Sequence, residues 1–286
     1  GRLNLLRFYA VVVLLLVLAG CAYKGSDAPV RLPLAAEIDT HLRSRKFPSS
    51  SRSLVFVEVD STSEESSFSP LQDLMGGEGD TYAGKAVLLW KQPASLRMEF
   101  LSPFGAPMFV IVAAKGELRA FSVARGRYYE GRANSETMAK WLGLPITPSL
   151  MIRILQGALP YLGGEVGAAR VGRDEEGGAV RLELPPGAGL DRRQVAHLGR
   201  KNFMPDRVLL GERGAELEIR YGDFRRTGKY VRPLWVELRD SRRGRRVRIH
   251  LNDENPSLGE TLPDDLFQLE IPVGALVAPL SKGRGR

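Results

Sequence analysis

The feature that most constrains this chain is a strict alternation of apolar and charged residues in several short runs. In Leu96-Arg97-Met98-Glu99-Phe100, the apolar residues fall on every second position. Successive side chains of a strand point to opposite faces, so Leu96, Met98 and Phe100 share one face and Arg97 and Glu99 the other. The same pattern recurs late in the chain. Leu217, Ile219 and Tyr221 alternate with Glu216, Glu218 and Arg220, and Val247, Ile249 and Leu251 with Arg246, Arg248 and His250. Leu234, Val236 and Leu238 lie between them. One face buried and one wet is the signature of an antiparallel sheet.

Further strands are expected at 54–59, 86–91, 108–113, 118–123, 169–173, 180–184, 194–200, 207–210 and 266–271. Met108 to Ala113 is apolar throughout and does not alternate. Two or three helices are expected. Ala35 to Lys46 places Ile38 and Leu42 on one face, and Ser135 to Leu142 stops before Gly143. The third has Thr147 as N-cap, Pro148 at its first position and Gly157 just past its end, with Leu150, Ile154 and Leu155 at helical spacing. The segment 61–80 is rich in Ser, Glu and Gly and reads as a long loop. No βαβ rhythm appears. The expected fold is mainly β (α+β): a strongly curved antiparallel sheet or open half-barrel of about eleven strands, with helices packed across its concave side.

The front of the chain carries a different signal. Arg2 and Arg7 precede an apolar run from Phe8 to Ala19, which ends in Leu18-Ala19-Gly20-Cys21. A basic start, a short apolar stretch and small residues at its end describe a secretory signal over 1–20. The run is shorter than the roughly 20 apolar residues a spanning helix needs. Leu-Ala-Gly-Cys resembles the lipobox of bacterial lipoproteins, whose cysteine becomes the new first residue. On that resemblance Cys21 is expected to carry a covalent diacylglycerol and an acyl chain. A signal anchor, or an ordinary cleaved signal with a chance cysteine, is the alternative. Residues 21–34 then form a lipidated tether, 35–275 a single domain, and 276–286 a basic tail.

Composition excludes several classes. Cys21 is the only cysteine, so no disulfide can form within the chain. Three histidines, His41, His197 and His250, are scattered and make a multi-ligand metal site a poor expectation. There is no Gly-x-Ser-x-Gly elbow, Walker loop or His-Glu-x-x-His, and no enzyme activity is expected. A hydrolase with an unrecognised site is the weakest reading. No cofactor and no nucleic-acid partner are expected. The net charge of +8 is spread along the chain apart from Arg242, Arg243, Arg245, Arg246 and Arg248. That cluster reads as a solvated hairpin tip, with lipid headgroups as the alternative. Ser102-Pro103-Phe104-Gly105-Ala106-Pro107 places an aromatic residue at a tight turn between two strands. Phe104 either folds back onto the core or stands out to meet a membrane or an apolar partner.

These segments together resemble the LolB family, outer-membrane lipoproteins that receive lipoproteins from the periplasmic carrier LolA. The resemblance rests on the lipobox at Cys21 and on the strand Leu96–Leu101 running into Ser102-Pro103-Phe104-Gly105. It rests further on Leu142-Gly143-Leu144-Pro145-Ile146 followed by a helix and Gly157-Ala158-Leu159-Pro160, and on the strands from Ile219 to Leu251. It covers roughly residues 53 to 271. The close Leu266-Phe267-Gln268-Leu269 is more similar to the end of LolA-type chains.

The resemblance implies a half-barrel with a helical lid over an apolar, acyl-binding cavity. It implies Leu96, Met98, Phe100, Phe109, Ile111 and Phe121 as candidate lining, their other role being plain core. It makes Phe104 the membrane-contacting residue. It also implies a monomer at the periplasmic face of the outer membrane, with a LolA-like carrier, acylated lipoproteins and membrane phospholipid as partners. The alternative is an envelope scaffold of the same fold that binds a protein partner without lipid transfer.

Overall fold

A computed structural model describes residues 31–61, 81–160, 169–174, 179–184, 186, 192–214, 216–251 and 253–279. The chain divides into two units, Gly1–Leu32 and Pro33–Arg286, and everything below concerns the second. The signal segment, Cys21, the segment 62–80 and Gly163–Gly167 lie outside the described residues.

Helix α1 spans Ala35–Ser44. The Glu37 carboxylate accepts a hydrogen bond from the Leu34 backbone N–H (3.0 Å), and Ile38 and Leu42 are buried. Six strands follow as a meander: β1 (Ser50–Ser61), β2 (Thr81–Lys91), β3 (Ser95–Leu101), β4 (Pro107–Ala114), β5 (Glu117–Ser122) and β6 (Arg127–Arg132). Two helices interrupt it. In α2 (Ser135–Leu142), Asn134 Oδ1 accepts from the Thr137 N–H at 2.8 Å, and Gly143 ends the helix at φ 69°. In α3 (Pro148–Leu155), Thr147 Oγ1 accepts from the Leu150 N–H at 3.2 Å. Gly143 and Thr147 are the stop and start signals read from the sequence, Asn134 is a cap that reading did not name, and both caps satisfy backbone groups that the helix leaves open.

A second run of strands comprises β7 (Arg170–Arg173), β8 (Ala179–Leu184), β9 (Gln194–Gly199), β10 (Pro205–Leu210), β11 (Leu217–Gly222), β12 (Arg225–Thr227), β13 (Tyr230–Arg232), β14 (Trp235–Asp240), β15 (Arg245–His250), β16 (Ser257–Leu258) and β17 (Leu276–Pro279). The described residues thus hold 17 strands, not eleven. The additional ones are mostly two to four residues long, too short for a period of two to register.

Fifteen strands form one sheet, in the order β17-β6-β5-β4-β3-β2-β1-β15-β14-β11-β10-β9-β8-β7, with β16 also on β1. β12 and β13 form a separate hairpin. The sheet is curved and its ends, β17 and β7, do not pair with each other. β1 joins the two meanders, pairing β2 on one side and β15 on the other. Among the described pairings only β17 with β6 is parallel.

One apolar cluster fills the inner face. It unites Val55, Val57 and Val59 of β1 with Leu182, Ile219, Leu238 and Ile249 of the second meander. Ile38 and Leu42 of α1, Met138 of α2 and Leu150, Met151, Ile152, Ile154 and Leu155 of α3 join the same cluster. A smaller cluster on the outer face unites Leu89, Val110 and Val112 with Leu262 and Phe267. β4 is therefore buried on both sides, which explains its unbroken apolar run.

The segment expected as a final strand at 266–271 is not one. Asp264–Phe267 form a 3₁₀ turn that opens a strap across the outer face. Side chains take the backbone acceptors that a neighbouring strand would otherwise hold. Arg97 donates to the carbonyls of Leu266 (3.1 Å) and Gln268 (3.0 Å), Lys91 to that of Leu262 (3.0 Å), and the Tyr128 hydroxyl to that of Leu269 (3.0 Å). Leu276–Pro279, expected within a loose basic tail, form β17 instead, on the open edge of β6.

Candidate functional site

The candidate lining residues come from β3, β4 and β5, and their register decides which of them meet. Phe100 pairs with Phe109, Met98 with Ile111 and Leu96 with Ala113. All lie on the inner face, and the Phe100 and Phe109 rings are 6.3 Å apart. Phe100 and Phe109 are each only 1% exposed. The structure therefore brings Leu96, Met98, Phe100, Phe109 and Ile111 together within packed core.

It does not bring in Phe121. That residue pairs with Val110, whose side chain lies on the outer face, while Leu118, Ala120 and Ser122 point inward. The physical reason is parity. Phe121 stands two positions from Arg119 and one from Ala120, so it shares the arginine's face. Arg119 is the signal in the sequence that places it outside. The inner-face residues that take its place are Leu118 and Ala120. The contribution of α3, including Met151, is signalled by the unbroken apolar run Leu150-Met151-Ile152, which a one-faced helix does not need.

Tyr82 packs its ring edge-on against Phe100, with centroids 5.6 Å apart. Its hydroxyl is buried and has no hydrogen-bond partner among the described residues, and burial pushes its pKa up. A buried hydroxyl without a partner is a costly arrangement, and an acceptor brought in by a ligand would relieve it.

The turn between β3 and β4 settles the position of Phe104, whose side chain is 97% exposed. The turn is closed by the Ser102 N–H on the Ala106 carbonyl (2.8 Å), the Gly105 N–H on the Ser102 carbonyl (2.9 Å) and the Ala106 N–H on Ser102 Oγ (3.1 Å). Gly105 has φ 83°, a conformation that suits glycine. The turn holds its shape without help from the phenyl ring, which projects outward.

The arginine cluster near 245 separates into different roles. Arg245 is buried against Gly143, where an added Cβ would lie 2.4 Å from its Nε. Arg246 pairs with Asp60, with Nε 2.6 Å from Oδ2, and Arg248 with Glu237, with NH2 2.9 Å from Oε2. Arg242 and Arg243 are at the hairpin tip, where Arg243 pairs with Asp240 at 2.8 Å. His250 meets Glu58 (Nε2 to Oε2, 3.0 Å) on the outer face, His197 meets Asp174 (3.0 Å), and His41 packs edge-on against Phe203. No three metal-ligating side chains converge among the described residues.

No protein-family model matches the chain, and no curated sequence is similar to it. Several solved structures are. A DUF1329 family protein from Desulfovibrio piger ATCC 29098 has 11% identity over 82% of this chain and 95% of its own, with a TM-score of 0.52. The LolA superfamily protein NE2245 from Nitrosomonas europaea has 14% identity over 83% and 98%, with a TM-score of 0.49. A putative outer membrane lipoprotein-sorting protein domain from Vibrio parahaemolyticus has 13% identity over 82% and 97%, with a TM-score of 0.46. What is shared with the Desulfovibrio piger protein is a fold alone, and at 11% identity the likeness carries nothing about activity.

Proposed function

We propose that this chain is a lipid-anchored carrier or acceptor of acylated proteins in the bacterial envelope. In this reading Cys21 is the lipidation site and holds the domain at the periplasmic face of the outer membrane. A LolA-like periplasmic carrier hands over the client, and the domain releases it into the phospholipid. Binding and release need no covalent chemistry.

The observation that carries the reading is the inner face itself. Strands from both meanders and three helices meet there in one apolar cluster that includes Met98, Met138 and Met151. An acyl chain removed from water gains about 0.8 kcal/mol per methylene, and an apolar sheet face provides that transfer. Because Leu96, Met98, Phe100, Phe109 and Ile111 are already buried, a chain can enter only if α2 and α3 part from the sheet as a lid. Unbranched, polarisable methionines repack around such a guest more readily than branched side chains do. The unpartnered Tyr82 hydroxyl beside Phe100 supplies a donor for the ester carbonyl at the end of the chain.

Native mass spectrometry of the chain from Ala22 onward, challenged with an acylated peptide, tests this. A one-to-one adduct is expected, weakened about fivefold or more in Tyr82→Phe, whose own stability is expected to be unchanged or slightly raised. Absence of any adduct from the folded protein sinks the carrier reading. The tight packing of the inner face favours a second one: an envelope scaffold whose interior is permanently filled and which binds a protein partner. Crosslinking to an assembly complex, with no lipid in the adduct, would support it.

A further inference from the structure

Phe104 is not alone at its end of the sheet. β3 runs into the Phe104 turn and β4 leaves it. β5, antiparallel to β4, ends at the same level, where the Val123 N–H donates to the Met108 carbonyl at 2.9 Å. β6 leaves that second turn. β17, parallel to β6, starts beside it, where the Leu276 N–H donates to the Gly126 carbonyl at 2.8 Å. Three segments distant in sequence thus end on one rim of five neighbouring strands, about 19 Å wide at the usual strand spacing.

The three segments are built alike. Ser102–Ala106, Val123–Gly126 and Ile271–Leu276 each contain a glycine at positive φ: Gly105 at 83°, Gly126 at 59° and Gly274 at 81°. A Cβ added at any of the three would meet nothing within 4 Å, so all three turns stand clear of the body. Each carries an exposed large apolar residue. Phe104 is 97% exposed, Leu276 65% and Val123 49%, and Val273 is wholly exposed. None of the three contains an acidic residue, although the exposed Glu270 precedes the third; Arg125 lies in the second turn and Arg127 follows it, both exposed.

We infer that this rim is a composite membrane-contact surface, which lays Phe104, Val123, Val273 and Leu276 into an anionic phospholipid bilayer. Separate protruding turns with open space between them suit a deformable lipid surface, which closes around each side chain. Arg125 and Arg127 lie where the headgroups would be and match their charge. The inference rests on the membrane contact of Phe104 in the proposed function, and adds two further turns, the C-terminal segment among them, and a preference for anionic lipid.

The test uses the full chain carrying Cys21→Ser, so that an introduced thiol is unique. Phe104→Cys, Val123→Cys and Val273→Cys are labelled one at a time with a polarity-sensitive fluorophore. Phe56→Cys, exposed on the outer face, serves as the control. The vesicles contain phosphatidylglycerol and phosphatidylethanolamine, with and without brominated acyl chains. All three rim labels are expected to be quenched at least twofold by the brominated lipid, and the Phe56 label not. Arg125→Ser and Arg127→Ser are each expected to lower rim-label quenching at limiting lipid about fivefold on these vesicles, and little on phosphatidylcholine. Quenching at 104 alone overturns the composite rim and leaves the Phe104 contact standing. Quenching at none of the three removes both. A Val273 label that responds only to added protein, and not to lipid, assigns the rim to a protein partner and overturns the inference. Because all four labelled sites are exposed, unchanged thermal unfolding is expected and serves as the folding control.

Discussion

The two meanders share the inner core and treat their outer faces in opposite ways. On β2 and β4 the outer face carries Leu89, Val110 and Val112, covered by the strap with Leu262 and Phe267, while on β3 between them Arg97 pairs with Glu99 and bonds the strap. Over β8 to β15 it is a lattice of charge. Glu183 lies between Arg181 and Arg193, both at 2.7 Å, and Glu218 between Arg207 (2.6 Å) and Arg220 (2.9 Å). Glu237 lies between Arg239 (3.1 Å) and Arg248 (2.9 Å). One half is made of two layers by burial. The other remains a single layer whose solvent side is fixed by ion pairs. The difference teaches that a cluster of apolar outer residues is buried where a strap covers it, while at the seam Leu54 and Phe56 of β1 stay exposed. Over β8 to β15, polar outer residues alternate with buried ones, and Glu183, Glu218 and Glu237 are each matched by arginines.

The comparison can be broken by substitution. Phe109→Ala, in the core common to both halves, is expected to cost about 4 kcal/mol in a urea titration, since it removes a fully buried aromatic. Phe267→Ala removes the cover of one half only. About 3 kcal/mol is expected, with faster amide exchange confined to the strap and β2 to β4. An equal rise over β8 to β11 would mean that the two halves are not independent. Glu237→Ala tests the charged half. Its carboxylate is buried but its arginines are partly in water, so about 2 kcal/mol is expected rather than the larger cost of a wholly buried pair. The smallest effect concerns pH. The hydrogen bond from Arg193 outweighs the burial of Glu183 and holds its pKa below the ordinary value. Its contribution is present above that ordinary value and is lost as pH falls through the lowered one. Glu183→Gln should therefore leave a shallower acid limb in the stability–pH curve, and an unchanged limb would show that the pair is idle.

The same contrast explains what the sequence discloses. The strands at 217–221 and 247–251 are legible because their outer side chains are charged. Leu96–Phe100 is legible because Arg97 reaches the strap through its guanidinium and still reads as polar. The strap itself misleads. Leu266, Phe267 and Leu269 have strand-like composition, but their apolar side chains serve an outer face whose existence only β4 hints at. Phe121 misleads in the same way, since an outward aromatic looks like lining until Arg119 fixes its parity. The Phe104 turn could be read as a turn, but not as one member of a rim, because Val123 and Val273 reach it only through pairings across the sheet. The contacts of α2 and α3 with the strands are likewise a matter of tertiary packing that no local period encodes.

β1 lies at the seam of the two meanders, and Phe56 meets its partner His250 almost two hundred positions later. A chain made from its N-terminus completes β1 and its neighbours β2 to β6 first, and β15 near the last. For that interval the inward valines of β1 lie beside an unsatisfied row of amides, the kind of edge that recruits stray strands from other molecules. The order of synthesis thus sets a period of vulnerability, whose length is the time needed to make the second meander. A chaperone acting on the growing chain would have its greatest effect there, before the seam has closed.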